Sequence, residues 1–145
     1  MCEPKMTSIR LAKTISELKQ CYPIFVQLHT DLTEADFLST IPRLQASGYQ
    51  MAYLEVNNAA KSVAGFHLGE SFGWKKHLYI ADLVTDQNSR SAGYGQLLLT
   101  WLKDYAKKQN CVSLHLDSKV TRHAAHKFYL NQNLIISGYH FLTEI

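Results

Sequence analysis

The chain has 145 residues, which is the length of about one domain. Hydrophobic residues make up 46% and charged residues 19%, so the composition is that of a globular protein and excludes a disordered one. The formal net charge of +3 is too small for a protein dedicated to nucleic acid, which carries a clustered basic face, so we expect no nucleic-acid partner.

The net charge is unevenly distributed along the chain. Residues 1–75 carry seven basic and seven acidic side chains, whereas residues 76–145 carry eight basic and five acidic ones. The whole surplus of positive charge therefore lies in the second half. We expect an anionic ligand, if there is one, to bind there.

The cysteines and the apolar stretches indicate where the protein works. Cys2, Cys21 and Cys111 are odd in number and irregularly spaced, which excludes a disulfide framework or a zinc pattern and suits a reducing cytoplasm. No stretch of the sequence reads as a secretory signal or reaches the roughly 20 apolar residues of a membrane span. We therefore expect a cytoplasmic protein without a membrane partner.

The first half of the chain predicts a strand, two helices and three further strands. Alternating residues predict a strand over Ser8–Ala12, and Ser16 is the expected N-cap of the first helix. Thr33 is the expected N-cap of the second helix, which Gly48 ends. Three strands joined by short links then predict an antiparallel meander: Gln50–Val56, Val63–Gly69 and Leu78–Thr85.

The second half predicts a crossover. A polar segment and two glycines precede an amphipathic helix whose apolar stripe runs from Leu97 to Ala106. The apolar strand Cys111–Leu116 follows, and the intervening helix makes it a parallel neighbour of the Leu78 strand. A helix over Arg122–Asn133 and strand character in Leu134–Ile145 complete the order. Residues 1–145 are thus expected to form one α/β domain with a mixed sheet.

The strongest candidate for a ligand site is the glycine-containing loop that opens the helix after the third meander strand. Gly93 and Gly95 allow a ligand to approach the backbone, and the first N–H groups of a helix lack internal partners. Such a helix start favours phosphate, and Arg90 adds a charged donor. Leu98 departs from the dinucleotide pattern, and Gln96 departs from the Walker pattern.

Three segments together resemble the GNAT superfamily of N-acetyltransferases. Arg90, Gly93 and Gly95 match the family's Arg-x-x-Gly-x-Gly acetyl-CoA loop. Leu78–Thr85 looks like its fourth strand, and residues 124–129 look like its Ala-x-x-Phe-Tyr helix. Asn133 and Leu134 stand where the family usually has Gly-Phe, and asparagine also tolerates the positive φ of a helix stop.

The resemblance implies a fold and a cofactor. The fold is a mixed, mostly antiparallel sheet with a splayed parallel strand pair, flanked by about four helices. The co-substrate is acetyl-CoA, with the pantetheine amides bonded to the backbone of Leu83 and Val84. Lys127 is implied near the adenosine or its 3′-phosphate. The residues implied to wrap the pyrophosphate are Arg90, Ser91, Ala92, Gly93, Tyr94, Gly95 and Gln96.

The resemblance also implies catalytic roles. Tyr129 matches the family tyrosine that donates a proton to the leaving thiolate. For the base that deprotonates the amine, two carboxylates stay open: Asp82, on the strand beside the acetyl site, and Glu70, at the end of the preceding strand. His123 and His126 are spaced for a metal on a helix, but no third ligand is evident, so we expect no metal.

The function implied is direct acetyl transfer from acetyl-CoA to a primary amine of a small molecule or peptide. The alternative is a non-catalytic GNAT-fold module that binds CoA as a sensor or interaction domain. The acceptor itself stays open. A homodimer formed through Ser137–Ile145 is a further expectation from the resemblance.

Overall fold

A computed structural model describes residues 6–145, so Cys2 lies outside the described part. The described cysteines, Cys21 and Cys111, are free thiols. Within these residues the elements are β1 (Thr7–Leu11), α1 (Ile15–Phe25), α2 (Glu34–Ala46), β2 (Tyr49–Val56), β3 (Ala59–Ser71), β4 (Lys75–Thr85), a 3-10 helix (Gln87–Ala92), α3 (Tyr94–Lys108), β5 (Ser113–Leu116) and α4 (His123–Asn131).

The strands form one five-stranded sheet in the order β1-β2-β3-β4-β5. Strands β1 to β4 pair antiparallel, and β5 lies parallel to β4, so the predicted mixed sheet with a meander and a crossover is confirmed. Asn57 and Asn58 have φ of 51° and 68°, which is the backbone that a tight hairpin between β2 and β3 requires.

The described residues divide into two compact units, the first ending at His115 and the second comprising Leu116–Ile145. In the first unit the sheet is covered on both faces. Tyr49, Met51 and Tyr53 alternate along β2 toward a core shared with α1 and α2. Leu54 packs instead with Tyr94 of α3. Burial on both faces explains why β2 is almost continuously apolar.

Helix α1 begins two residues earlier than the sequence predicted. The N-cap is Thr14, not Ser16: the Thr14 hydroxyl accepts from the Glu17 N–H at 3.1 Å, and the Glu17 carboxylate accepts from the Thr14 N–H at 3.0 Å. This reciprocal capping box needs an acidic residue three positions after the cap, where Ser16 would offer Lys19. The prediction of Thr33 as the cap of α2 is confirmed.

The predicted C-terminal strand is wrong. In the second unit α4 is followed by Leu134–Ile145, which forms neither helix nor strand. A strand needs a hydrogen-bonded neighbour, and alternation alone does not supply one. Asn133 has φ of 68° after α4, so the predicted helix stop at asparagine is confirmed. The homodimer through Ser137–Ile145 stays a prediction.

Candidate active site

A cleft of about 610 Å³ lies in the first unit. Its residues come from the end of α1, the connection to α2, α2 itself, and strands β2 and β4. The lining residues are Phe25, Leu28, His29, Thr30, Asp31, Leu32, Phe37, Thr40, Ile41, Leu44, Tyr49 and Asp82. The volume falls in the range of small-molecule sites.

Asp82 is placed in the cleft by an irregularity of β4. Asp82 pairs with Gly65 and Ile80 pairs with Phe66, so Ala81 is an extra residue without a partner on β3. Such a bulge bends the strand and redirects the side chain beside it. The Asp82 side chain retains 13% of its exposure, so it is largely withdrawn from water but still reachable from the cleft.

Both carboxylate oxygens of Asp82 have a partner. Oδ1 lies 2.6 Å from Nε2 of His29, and Oδ2 accepts a hydrogen bond of 2.8 Å from the Tyr49 hydroxyl. Burial, and then the charge of Asp82, raise the pKa of Tyr49 far above its ordinary value, so this phenol keeps its proton and acts as a donor. The carboxylate is therefore held in one orientation, and it orients the imidazole in turn.

Gly65 makes room for this arrangement. A Cβ built on Gly65 would overlap the hydroxyl and ring carbon of Tyr49, and it would lie 2.8 Å from Oδ2 of Asp82. The Tyr49 side chain thus occupies the space that the Cβ of any other residue at position 65 would fill, and there it reaches Asp82. The glycine is required for space here, because its φ lies outside the left-handed region.

Aromatic side chains continue from the His29–Asp82 pair into the cleft wall. The ring of Phe25 lies 4.7 Å from that of His29 and 5.2 Å from that of Phe37. Phe37 in turn lies 5.6 Å from Tyr22. These separations are those of favourable aromatic pairs, so the wall also restrains the imidazole ring.

The structure separates the two carboxylates that the sequence left open as bases. Asp82 lies in the cleft, whereas Glu70 is exposed and pairs with Lys76, five residues along β3 from Gly65. That spacing corresponds to about 17 Å along a strand. His29, which sequence reasoning missed, is 53 positions from Asp82, and nothing in its local sequence distinguishes it from an ordinary polar loop residue.

The glycine loop leads into α3 without a side-chain cap. Gly93 joins the 3-10 helix to α3 with φ of 82°, and no side chain caps the start of α3. The first N–H groups of α3 therefore lack a side-chain partner and are available to a ligand. Arg90 is exposed in the last turn of the 3-10 helix.

The loop is held at its beginning by Gln27. The Gln27 side chain donates to Asp86 at 3.1 Å and accepts from the Gln87 N–H at 2.9 Å. The hydrogen bond from Gln27 lowers the pKa of Asp86, so this carboxylate stays charged and caps the 3-10 helix through the Asn88 N–H. These hydrogen bonds hold the part of the loop that precedes its glycines in sequence.

Two predicted site residues, Tyr129 and Lys127, lie in the second unit, whereas Leu83 and Val84 lie on β4 in the first. Tyr129 is partly buried in α4, where burial raises its pKa against the opposing effect of Arg122. Lys127 is exposed on the same helix. His126 bonds the Lys119 carbonyl at 2.8 Å.

Among residues 6–145 no group of three or more metal-ligating side chains occurs. Each helix in this described part of the chain is too short or too polar to span a bilayer.

Comparisons with known proteins agree on one family. The profile of the Acetyltransferase (GNAT) family matches residues 12–133. The uncharacterized N-acetyltransferase YhdJ of Bacillus subtilis strain 168 is 34% identical over 131 residues, which cover 89% of this chain and 92% of that protein.

Solved structures show the same fold at lower identity. The aminoglycoside N-acetyltransferase AAC(6')-Iy, solved with CoA, superposes with a TM-score of 0.87 at 12% identity and covers 100% of this chain and 98% of its own. The glucosamine-6-phosphate N-acetyltransferase of Arabidopsis thaliana has a TM-score of 0.76 at 18% identity, covering 96% and 98%. At these identities the likeness concerns the fold.

Proposed function

Because the chain belongs to the GNAT family of acetyltransferases, we propose that it transfers an acetyl group from acetyl-CoA directly to a primary amine. The observation that carries this proposal is the His29–Asp82 pair in the cleft, fixed by Tyr49. An amine must lose a proton when it is acylated, and a carboxylate-oriented imidazole is suited to accept one.

The residues of the loop fit the proposed co-substrate. The left-handed Gly93, the uncapped start of α3 and the exposed Arg90 suit a pyrophosphate group. We propose that Arg90, Gly93 and Gly95 hold it together with their neighbours, the other predicted contacts being Ser91, Ala92, Tyr94, Gln96, Lys127 and the backbone of Leu83 and Val84. When bound, acetyl-CoA supplies the activated acetyl group and a thiolate leaving group.

We assign His29 as the group that accepts the proton of the amine. With Nε2 donating to Asp82, the ring nitrogen Nδ1 carries a lone pair and accepts the proton as the amine attacks the acetyl carbon. Asp82 then stabilises the imidazolium and keeps its orientation. This refines the sequence prediction, because Asp82 acts as a positioning residue and the base is the histidine beside it.

Tyr129 is proposed as the proton donor to the departing sulfur. Burial raises its pKa, so its Oη carries a proton at neutral pH, and that proton can bond the departing sulfur and pass to it as negative charge develops there. An acceptor that binds as an ammonium ion first releases one proton to solvent and attacks as the neutral amine; the proton then lost to His29 and the proton given by Tyr129 balance, and solvent returns each group to its starting state.

The test is the amine-dependent release of free thiol from acetyl-CoA. We expect His29→Gln to lower kcat by about 10²-fold or more, which is the usual contribution of a general base. Asp82→Asn should lower kcat as well, with the KM for acetyl-CoA almost unchanged in both variants. Asp104→Asn, the same substitution at an exposed site on α3, serves as the control.

Two results would contradict the proposal. Full activity of His29→Gln would show that the imidazole is not the base. CoA binding with no thiol release for any amine in the wild-type protein would favour the non-catalytic CoA-binding module.

A further inference from the structure

We propose that the acceptor is a hydrophobic primary monoamine, an arylalkylamine or alkylamine in chemical class. The inference deepens the proposed function and rests on it. It follows from what lines the cleft that leads to the His29–Asp82 pair.

Apolar side chains make up half of the lining of the cleft. Six of the twelve lining residues are Phe25, Leu28, Leu32, Phe37, Ile41 and Leu44. Phe25, Phe37 and Ile41 are at most 7% exposed, so this wall is part of the packed core. Thr30 and Thr40 offer a sugar a few hydrogen bonds, but hydroxyl groups placed against the apolar side chains have no partners, whereas an apolar body gains there from leaving water.

The charges in the cleft select a cation and disfavour an anion. Its ionisable acids and bases are His29, Asp31 and Asp82, with Tyr49 held as a protonated donor. No lysine or arginine is among the residues described as lining it. A phosphorylated or carboxylated amine would therefore meet carboxylates without a compensating cation, which is unfavourable in a partly buried site.

The position of the carboxylates limits the number of cationic groups that the cleft accepts. Both oxygens of Asp82 are already engaged by His29 and Tyr49, so Asp31 is the other acid of the lining. A polyamine or an aminoglycoside carries more ammonium groups than Asp31 alone can pair, so the remaining ones would lie against the apolar wall. Burying an unpaired ammonium is costly, so a single amino group fits best.

The experiment compares acceptors by kcat/KM at saturating acetyl-CoA. The panel contains 2-phenylethylamine and hexylamine against glucosamine, glucosamine 6-phosphate, spermidine and kanamycin. We expect the two hydrophobic monoamines to exceed every polar or polycationic acceptor by at least about tenfold, the discrimination that an apolar pocket provides. Calorimetric titration of the same amines into the protein saturated with CoA should give the same ranking by affinity.

A variant pair connects the ranking to this cleft. Leu44, which lines the cleft and is 40% exposed, tolerates substitution without disturbing the core. Leu44→Gln should weaken the binding of 2-phenylethylamine several-fold and leave that of CoA unchanged. Ile15→Gln, at a position 68% exposed outside the cleft, should alter neither.

The outcomes separate the two levels of the proposal. Preference for kanamycin, spermidine or either glucosamine would overturn the substrate class while acetyl transfer stands. The same would follow if Leu44→Gln had no effect on 2-phenylethylamine. If no amine released thiol, the proposed function would fail, and this inference with it.

Discussion

The His29–Asp82–Tyr49 arrangement depends on Gly65, which has no side chain and takes no part in the chemistry. Tyr49 reaches Asp82 across Gly65, and both the space and the bulge at Ala81 are needed for the carboxylate to face the cleft. The Tyr49 hydroxyl bonds Oδ2 of Asp82, so Oδ1 is the oxygen that bonds His29. A glycine in mid-strand, normally a weakness, is here a condition of the site.

Gly65→Ala is therefore expected to damage both stability and turnover. The added methyl group displaces the Tyr49 hydroxyl, and overpacking of this kind costs about 1–3 kcal/mol of unfolding free energy. Urea denaturation measures the stability, and amine-dependent thiol release measures the loss of kcat. Gly73→Ala is the control. A Cβ at position 73 would meet no atom within 4 Å, and the backbone there does not have a positive φ. Equal behaviour of the two variants would contradict the role assigned to Gly65.

The loop between β4 and α3 is the element for which we propose pyrophosphate binding. Gln27 and Asp86 fix its beginning, and the left-handed Gly93 turns it into α3. Because Gly93 has open space around it, the constraint at this position is conformational, in contrast to Gly65. The loop presents backbone donors, so side-chain changes at Ser91 or Ala92 should matter less than a change at Gly93.

Gly93→Ala is expected to weaken CoA binding. An alanine in the left-handed region costs about 1 kcal/mol or more, so the loop shifts away from the conformation that exposes its N–H groups. Calorimetry should show a rise of several-fold in the Kd for CoA, with little change in kcat at saturation. Gly138→Ala, at an open position without positive φ, should leave the Kd unchanged. An unaltered Kd for Gly93→Ala would place the pyrophosphate elsewhere.

At the scale of the whole molecule, charged side chains join the first helix to the edge of the sheet. Arg10 of β1 bonds Glu17 of α1 at 3.2 Å and Glu55 of β2 at 2.9 Å. Burial acts to raise the pKa of Glu17, but the N–H groups of Lys13 and Thr14 and the Arg10 guanidinium outweigh it and lower the pKa to about 2. The folded chain therefore prefers the ionised form of Glu17.

This preference predicts how stability changes in acid. A carboxyl whose pKa is lowered by folding stabilises the protein above its unfolded pKa, and this stability is lost as the pH falls toward about 2. After allowance for solvent screening, Glu17→Gln should lower the unfolding free energy by about 1–2 kcal/mol at pH 7. Urea titrations between pH 7 and pH 2 should show this deficit shrinking. The control is Glu34→Gln in the first turn of α2, and a deficit independent of pH would contradict the argument.

The elements and the family follow from local patterns that the sequence displays directly. Alternation marked the first strand, short links between strands marked the meander, and the apolar stripe marked α3, because each pattern is set by backbone geometry over a few residues. The start of α1 was misplaced because a capping box depends on a side chain three residues on. The strand expected over Leu134–Ile145 failed because pairing is a property of two segments.

The sequence by itself determined the order of elements as far as α4, the mixed sheet and the glycine loop for which we propose phosphate binding. Only the tertiary structure decided which carboxylate faces the cleft, since Asp82 and Glu70 lie on neighbouring strands and differ in register and burial. It also brought His29 to Asp82 across 53 positions and placed Tyr49 over Gly65. Such contacts arise from packing between distant segments, and no local periodicity encodes them.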